Sequence, residues 1–144
     1  MKKKQIILQN DVQQVPRLAE FVDEICETVG LDMATTMKLN LAIEEAVVNV
    51  MNYAYPQGTT GHIDIQAQLD DSLLQFVISD SGCPFDPTAQ QEADITLSAD
   101  QRPIGGLGIH LVRQIMDSVN YQRSHGKNIL KLEKQLPLEP KEQR

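Results

Sequence analysis

Apolar and polar positions follow two different rhythms along this chain, and the change between them divides it into elements. Ile6, Ile7 and Leu8, set between polar residues, predict a short strand over 5–9. Val15, Leu18, Ala19, Val22, Ile25, Cys26 and Val29 then recur at three- and four-residue intervals, one apolar stripe on a helix. Asp11 offers that helix an N-cap, Pro16 suits its first turn, and Gly30 marks its end. A second helix is expected from about 32 to 53, stopped by Tyr55-Pro56-Gln57-Gly58. Met37, Leu39, Leu41, Ala42, Ile43, Ala46, Val47, Val48, Val50 and Met51 cover most of its circumference and predict a largely buried helix.

The rhythm then shortens to two. His62-Ile63-Asp64-Ile65-Gln66-Ala67-Gln68-Leu69 alternates cleanly, Asp70-Asp71-Ser72 turns the chain, and 73–79 returns as a second strand. Antiparallel neighbours with one buried face are expected. From Asp80 to Gly108 periodicity vanishes, and a loop of that length in a compact domain is usually functional or mobile. A third helix is expected over about 107–117, with Ile109, Val112, Ile115 and Met116 inward. Strands over 119–123 and 129–136 follow, joined by a hairpin turn at Ser124-His125-Gly126-Lys127-Asn128. This order predicts an α+β fold, a two-layer α/β sandwich with helices packed on one face of a mixed, largely antiparallel sheet.

Composition narrows the functional classes. A chain of 144 residues predicts a single domain over 1–144, with its core over about 5–136. Twenty acidic against 13 basic residues give a formal charge of -7, and only 4% of residues are aromatic. That field repels a phosphate backbone and leaves few rings for base stacking, so no nucleic-acid partner is expected. Cys26 and Cys83 lack metal-ligand spacing. The basic opening Lys2-Lys3-Lys4 runs into only three apolar residues, short of a secretory leader, and no segment has the length of a bilayer span. A cytoplasmic protein with no membrane partner is the expectation.

Three segments carry candidate chemistry. Glu45 and Asn49 stand one turn apart on the second helix, with Asn52 beyond them and Leu41, Ala42 and Val48 as apolar neighbours. Polar groups flanked in this way are paired, exposed at a cleft, or bound to a ligand. The same stripe also fits a plain wet edge, although Asn40 and Glu44 already supply one. Asp80-Ser81-Gly82 follows an apolar strand. It is either an ordinary turn or a carboxylate placed to accept from an exocyclic amine or ring N–H, with Gly82 giving a planar ligand room. Gly105-Gly106-Leu107-Gly108 precedes the third helix, as a flexible helix entry or as a phosphate site built from free backbone N–H groups.

In order, these segments resemble the N box and the two glycine boxes of the GHKL ATP-binding superfamily. The residues are Glu45-Ala46-Val47-Val48-Asn49, then Asp80-Ser81-Gly82-Cys83-Pro84-Phe85-Asp86-Pro87, then Gly106-Leu107-Gly108-Ile109-His110-Leu111-Val112. Within the superfamily the chain is most similar to the bacterial anti-sigma-factor serine/threonine kinases. The resemblance implies a Bergerat-type fold that uses ATP and Mg²⁺. It implies that Asn49 helps hold the metal, that Glu45 orients or deprotonates the attacking hydroxyl, and that Asp80 reads the adenine amino group beside Gly82. It further implies that Gly105, Gly106, Leu107 and Gly108 hold the phosphates, under a lid over about 86–104 whose one basic side chain is Arg102. The implied activity is phosphorylation of a STAS-type anti-sigma antagonist, with sequestration of a sigma factor otherwise and a possible homodimer through the first helix and sheet edge. The alternative is a non-catalytic or weakly catalytic nucleotide-binding partner-switch module that regulates a different protein. Two departures stand out: Tyr53 occupies a position where many members carry histidine, and 129–136 has no hydroxyl to support adenine recognition.

Overall fold

Residues 3–89 and 106–137 are described by a computed structural model. The elements in chain order are β1 (Lys4–Gln9), α1 (Val15–Val29), α2 (Met33–Tyr53), β2 (His62–Asp70), β3 (Leu73–Asp80), α3 (Gly106–Ile115), β4 (Ser118–Ser124) and β5 (Lys127–Gln135). The strands form one sheet in the order β1-β2-β3-β5-β4, and every neighbouring pair is antiparallel. The expected α+β architecture is present, with antiparallel pairing throughout. Most of the expected lid, at 90–104, lies outside the described residues, as does Gly105.

Local chemistry explains the boundaries. Asp11 caps a short 3₁₀ turn, Val12–Gln14, by accepting from the Gln13 N–H at 3.0 Å; α1 begins only after it, with Pro16 in its first turn. Gly30 closes α1 in the left-handed conformation, φ 86°, and its N–H donates to Cys26 and Glu27 carbonyls. Asp32 then caps α2 by accepting from the Thr35 N–H at 2.8 Å.

Alternation along the strands makes the core. Ile63, Ile65 and Ala67 of β2, Leu74, Phe76 and Ile78 of β3, and Leu130 and Leu132 of β5 are buried on one face. Leu18, Val22 and Ile25 of α1, the inner side of α2, and Ile109 and Val112 of α3 join the same cluster. This is the arrangement period two and period 3.6 demand when they meet.

Two expectations need correction. Helix α2 is not buried all round: Met33, Met37 and Leu41, four residues apart, are 79%, 60% and 47% exposed. They run along an open side of α2, where Met37 and Leu41 border a groove of about 340 Å³ with Val15, Leu18 and Ala19. Hydrophobic composition marks the faces a helix can bury, and only packing decides which it does bury. The β4–β5 connection is also shorter than expected. Ser124 pairs with Lys127 and Arg123 with Asn128, leaving His125 and Gly126 as the whole turn, both at positive φ (52° and 75°). Such a tight turn matches the twist of a hairpin and draws Asn128 into the sheet ladder.

The Gly30 closure predicts a clean backbone penalty. No atom lies within 4 Å of where a Cβ would sit, so Gly30→Ala meets only the strain of φ 86°. Urea unfolding is expected to show a loss of about 1–2 kcal/mol with an unchanged m-value.

Candidate functional site

Asp80 ends β3, in the middle of the sheet, opposite Ile63 of β2 and Asn128 of β5. Its carboxylate is only 4% exposed. Oδ1 accepts two hydrogen bonds, from the Gly82 N–H at 2.8 Å and from Asn128 Nδ2 at 2.9 Å. Oδ2 is buried without a partner among the described residues. Burial pushes the carboxyl pKa up, against the pull of the Asn128 and Gly82 donors and the positive Arg123. A buried acceptor left unpaired is costly. Its chemistry fits a donor brought in from outside, such as an exocyclic amine.

Around Asp80 the loop is tied down on every side. Cys83 N–H donates to the Ala54 carbonyl at 2.6 Å, at the end of α2. Tyr55 donates its phenol to the His62 carbonyl at 2.7 Å and accepts from the Ser81 N–H at 3.1 Å. Arg123 of β4 donates to the Gly82 carbonyl at 2.9 Å. Further along, Asp86 accepts from Thr88 N–H at 2.8 Å, and Arg113 of α3 donates to the Thr88 carbonyl at 2.7 Å. The first residues of the expected lid are thus held by α3.

Gly82 has a different local reason from the expected one. A Cβ there would lie 2.3 Å from the Ala54 carbonyl oxygen, so the glycine is required by the end of α2. On that face the room expected for a ligand is filled by protein backbone. Tyr53, in the histidine position, stacks on Phe85 with ring centroids 5.5 Å apart and an interplanar angle of 29°.

On α2, Glu45 is half-buried and Asn49 is 5% exposed. Neither side chain hydrogen-bonds to a described residue, and Glu45 has no ion pair among them. Ala54, which anchors Cys83, lies five residues past Asn49, about 7–8 Å along the helix axis. Asn52 points elsewhere: it is exposed and borders a polar cavity of about 660 Å³ shared with Gln9, Asn10 and Thr59. The stripe read from the sequence therefore splits, with Glu45 and Asn49 on the inner side. Gly106, Leu107 and Gly108 form the first turn of α3, where backbone N–H groups lack intrahelical acceptors. Arg102 lies outside the described residues, as Gly105 does.

Among the described residues no group of three or more His, Cys, Asp or Glu could hold a metal ion. The Asn49 amide oxygen is a hard donor of the kind Mg²⁺ accepts when phosphates supply the remaining protein-independent ligands. No described helix is long and apolar enough to cross a membrane.

Asn128 is the participant that sequence reasoning missed. The sequence pattern places it in the turn before the last strand, and 129–136 offers no hydroxyl. Only the tight turn at His125 and Gly126 places it opposite Asp80, and turn length was the available signal.

Residues 8–134 match the histidine kinase-like ATPase domain family. The serine-protein kinase RsbW of Listeria monocytogenes is 27% identical over 128 residues, covering 81% of this chain and 82% of its own. The serine/threonine-protein kinase BtrW of Bordetella bronchiseptica is 31% identical over 94 residues, 65% of this chain and 66% of its own. Among solved structures, a Mycobacterium tuberculosis protein with RsbU and RsbW domains superposes with a TM-score of 0.68 at 16% identity. That likeness covers 94% of this chain and 33% of the other. The histidine kinase domain of a blue-light-activated kinase from Erythrobacter litoralis gives a TM-score of 0.53 at 14% identity, over 85% and 60%. Both structural likenesses concern the fold.

The contact at Gly82 predicts that Gly82→Ala pushes the Ala54 carbonyl away and loosens the Cys83 bond. Equilibrium unfolding is expected to register a loss of about 1–3 kcal/mol, the range for an overpacked site.

Proposed function

The chain belongs to the histidine kinase-like ATPase domain family, and on that premise we propose that it binds ATP with Mg²⁺ and phosphorylates a serine or threonine of a partner protein. The observation that carries this reading is Asp80 Oδ2, a buried acceptor with no partner among the described residues, at the end of a central strand. An adenine amino group supplies the donor it lacks. Relatives named as serine or serine/threonine kinases, one of them spanning 81% of the chain, support the reaction type.

Roles follow from residue chemistry. Asp80 accepts from the base, and the loop from Ser81 to Phe85 fixes its surroundings. Asn49 offers its amide oxygen to the metal. The backbone of Gly106, Leu107 and Gly108, at the positive end of α3, donates to phosphate oxygens, and Gly105, outside the described residues, is assigned the same role. Mg²⁺, when bound, offsets charge on the phosphates during transfer. Glu45 orients the incoming hydroxyl and takes its proton as the oxygen attacks the γ-phosphorus and the bond to the bridging oxygen breaks.

The partner in this reading is a STAS-type anti-sigma antagonist, and the competing partner is a sigma factor, which places the protein in the cytoplasm. A phosphate added at the antagonist's interface would break that complex by repulsion and desolvation, which makes the reaction a switch. Self-association through α1 and β1, an open edge of the sheet, completes the reading. One observation favours the alternative of a nucleotide-holding switch without turnover: Tyr53 stacks on Phe85 and brings no imidazole to the site.

Titration calorimetry with Mg²⁺ and ATP or ADP tests the reading. Wild type is expected to bind, Asp80→Ala to lose at least about tenfold in affinity, and Asn49→Ala to lose mainly the metal-dependent part. Glu45→Ala is expected to keep binding and to lower phosphate transfer by about 10²–10⁴-fold, the span of a general base. Absence of adenine-nucleotide binding by wild type would overturn it. Binding without transfer to any hydroxyl would leave the alternative.

A further inference from the structure

We propose that Asn128 is a positioning residue that presents Asp80 to the base and thereby sets which purine the site accepts. The inference rests on the nucleotide reading of the site and deepens it.

A side-chain amide has two N–H donors and two acceptor lone pairs. All four are used in Asn128, which is 4% exposed. Nδ2 donates to Asp80 Oδ1 at 2.9 Å and to the Cys83 carbonyl at 2.8 Å. Oδ1 accepts from the Phe85 N–H at 3.1 Å and from the Tyr121 phenol at 2.6 Å. A backbone carbonyl only accepts and a backbone N–H only donates. Turning the amide over would set its oxygen against Cys83 and its NH₂ against the Phe85 N–H. The amide therefore has one orientation, chosen by partners other than Asp80, and it faces Asp80 with an N–H.

That orientation decides how Asp80 is used. With the Gly82 and Asn128 donors both on Oδ1, Oδ2 is the remaining acceptor, and it has no partner among the described residues. As an ionised acceptor it matches the amino N–H at position 6 of adenine and opposes the carbonyl at the same position of guanine. A proton taken up by the carboxyl would go to Oδ2, turning it into a donor and reversing that choice. Asn128 thus holds Asp80 in the form that reads an amine. The other ionisable groups facing Asp80 are Arg123 on β4 and Tyr55 just past α2; their hydrogen bonds go to the Gly82 carbonyl, and to His62 and Ser81.

Two variants of the whole protein test this: Asn128→Ala, and the nearly isosteric Asn128→Asp. Binding of ATP and of GTP with Mg²⁺ is measured between about pH 8 and pH 5.5, and unfolding is followed alongside. Wild type is expected to prefer ATP. Asn128→Ala is expected to lose about tenfold in ATP affinity and a similar factor in the ATP-to-GTP ratio. Removing a donor to the ionised carboxylate raises its pKa, so ATP binding fades at higher pH than in wild type. Titration of the nucleotide's own phosphates is common to both proteins and cancels in the comparison. Asn128→Asp is expected to behave oppositely, binding ATP worst at high pH and recovering as the introduced carboxyl takes a proton and donates to Asp80 Oδ1. A merely structural role would lower ATP and GTP binding together, with the ratio and pH profile of wild type, and would overturn the proposal while the nucleotide site stands. Failure of wild type to bind either nucleotide would remove the reading beneath it. If Asn128→Ala does not fold, the pH response of Asn128→Asp decides the matter.

Discussion

A carboxylate buried at the end of a central strand is the constraint on which the rest of this structure depends. Asp80 cannot stay ionised among apolar neighbours unless donors surround it, and the chain supplies them from distant places. Gly82 provides one through the backbone and Asn128 another from the neighbouring strand. The shortness of the β4–β5 turn, the glycine after the strand and the packing of the loop on α2 all serve that one oxygen pair. What they leave without a partner among the described residues is Oδ2, the acceptor on which the proposed base recognition rests.

The second helix gives the site its other half. Its inner side is fixed by the core, so Glu45 and Asn49 are carried on a rigid element that also anchors the Asp80 loop through Ala54. Asn49 and Glu45 lie five and nine residues before Ala54, about 1.4 and 2.5 helical turns, a separation that suits the proposed nucleotide better than a single small anion. Arg113 extends the same framework by tying α3 to the loop that follows β3, through the Thr88 carbonyl.

Much of this was legible in the sequence because periodicity reports burial directly. The strand and helix order and the closure at Gly30 follow from local rules that the fold keeps, whereas Asp11, the expected cap of α1, caps the 3₁₀ turn before it. Glu45, Asn49 and Asp80 stood out as polar residues in apolar surroundings, and the structure finds them half-buried or buried. What was not legible depends on partners far apart in sequence. The value of Asn128 rests on strand register, which a difference of a few residues in turn length changes. Gly82 was read as space for a ligand, whereas the contact that demands it is with Ala54. Met37 and Leu41, expected in the core, are exposed because hydrophobicity alone cannot name the face that goes unpacked.

The most direct test of the central claim is a crystal structure with Mg²⁺ and a non-hydrolysable ATP analogue. The account predicts the adenine amino group within hydrogen-bond distance of Asp80 Oδ2, with Asn128 still donating to Oδ1. A base bound elsewhere, or an Asn128 amide released from Asp80 when the nucleotide binds, would contradict it.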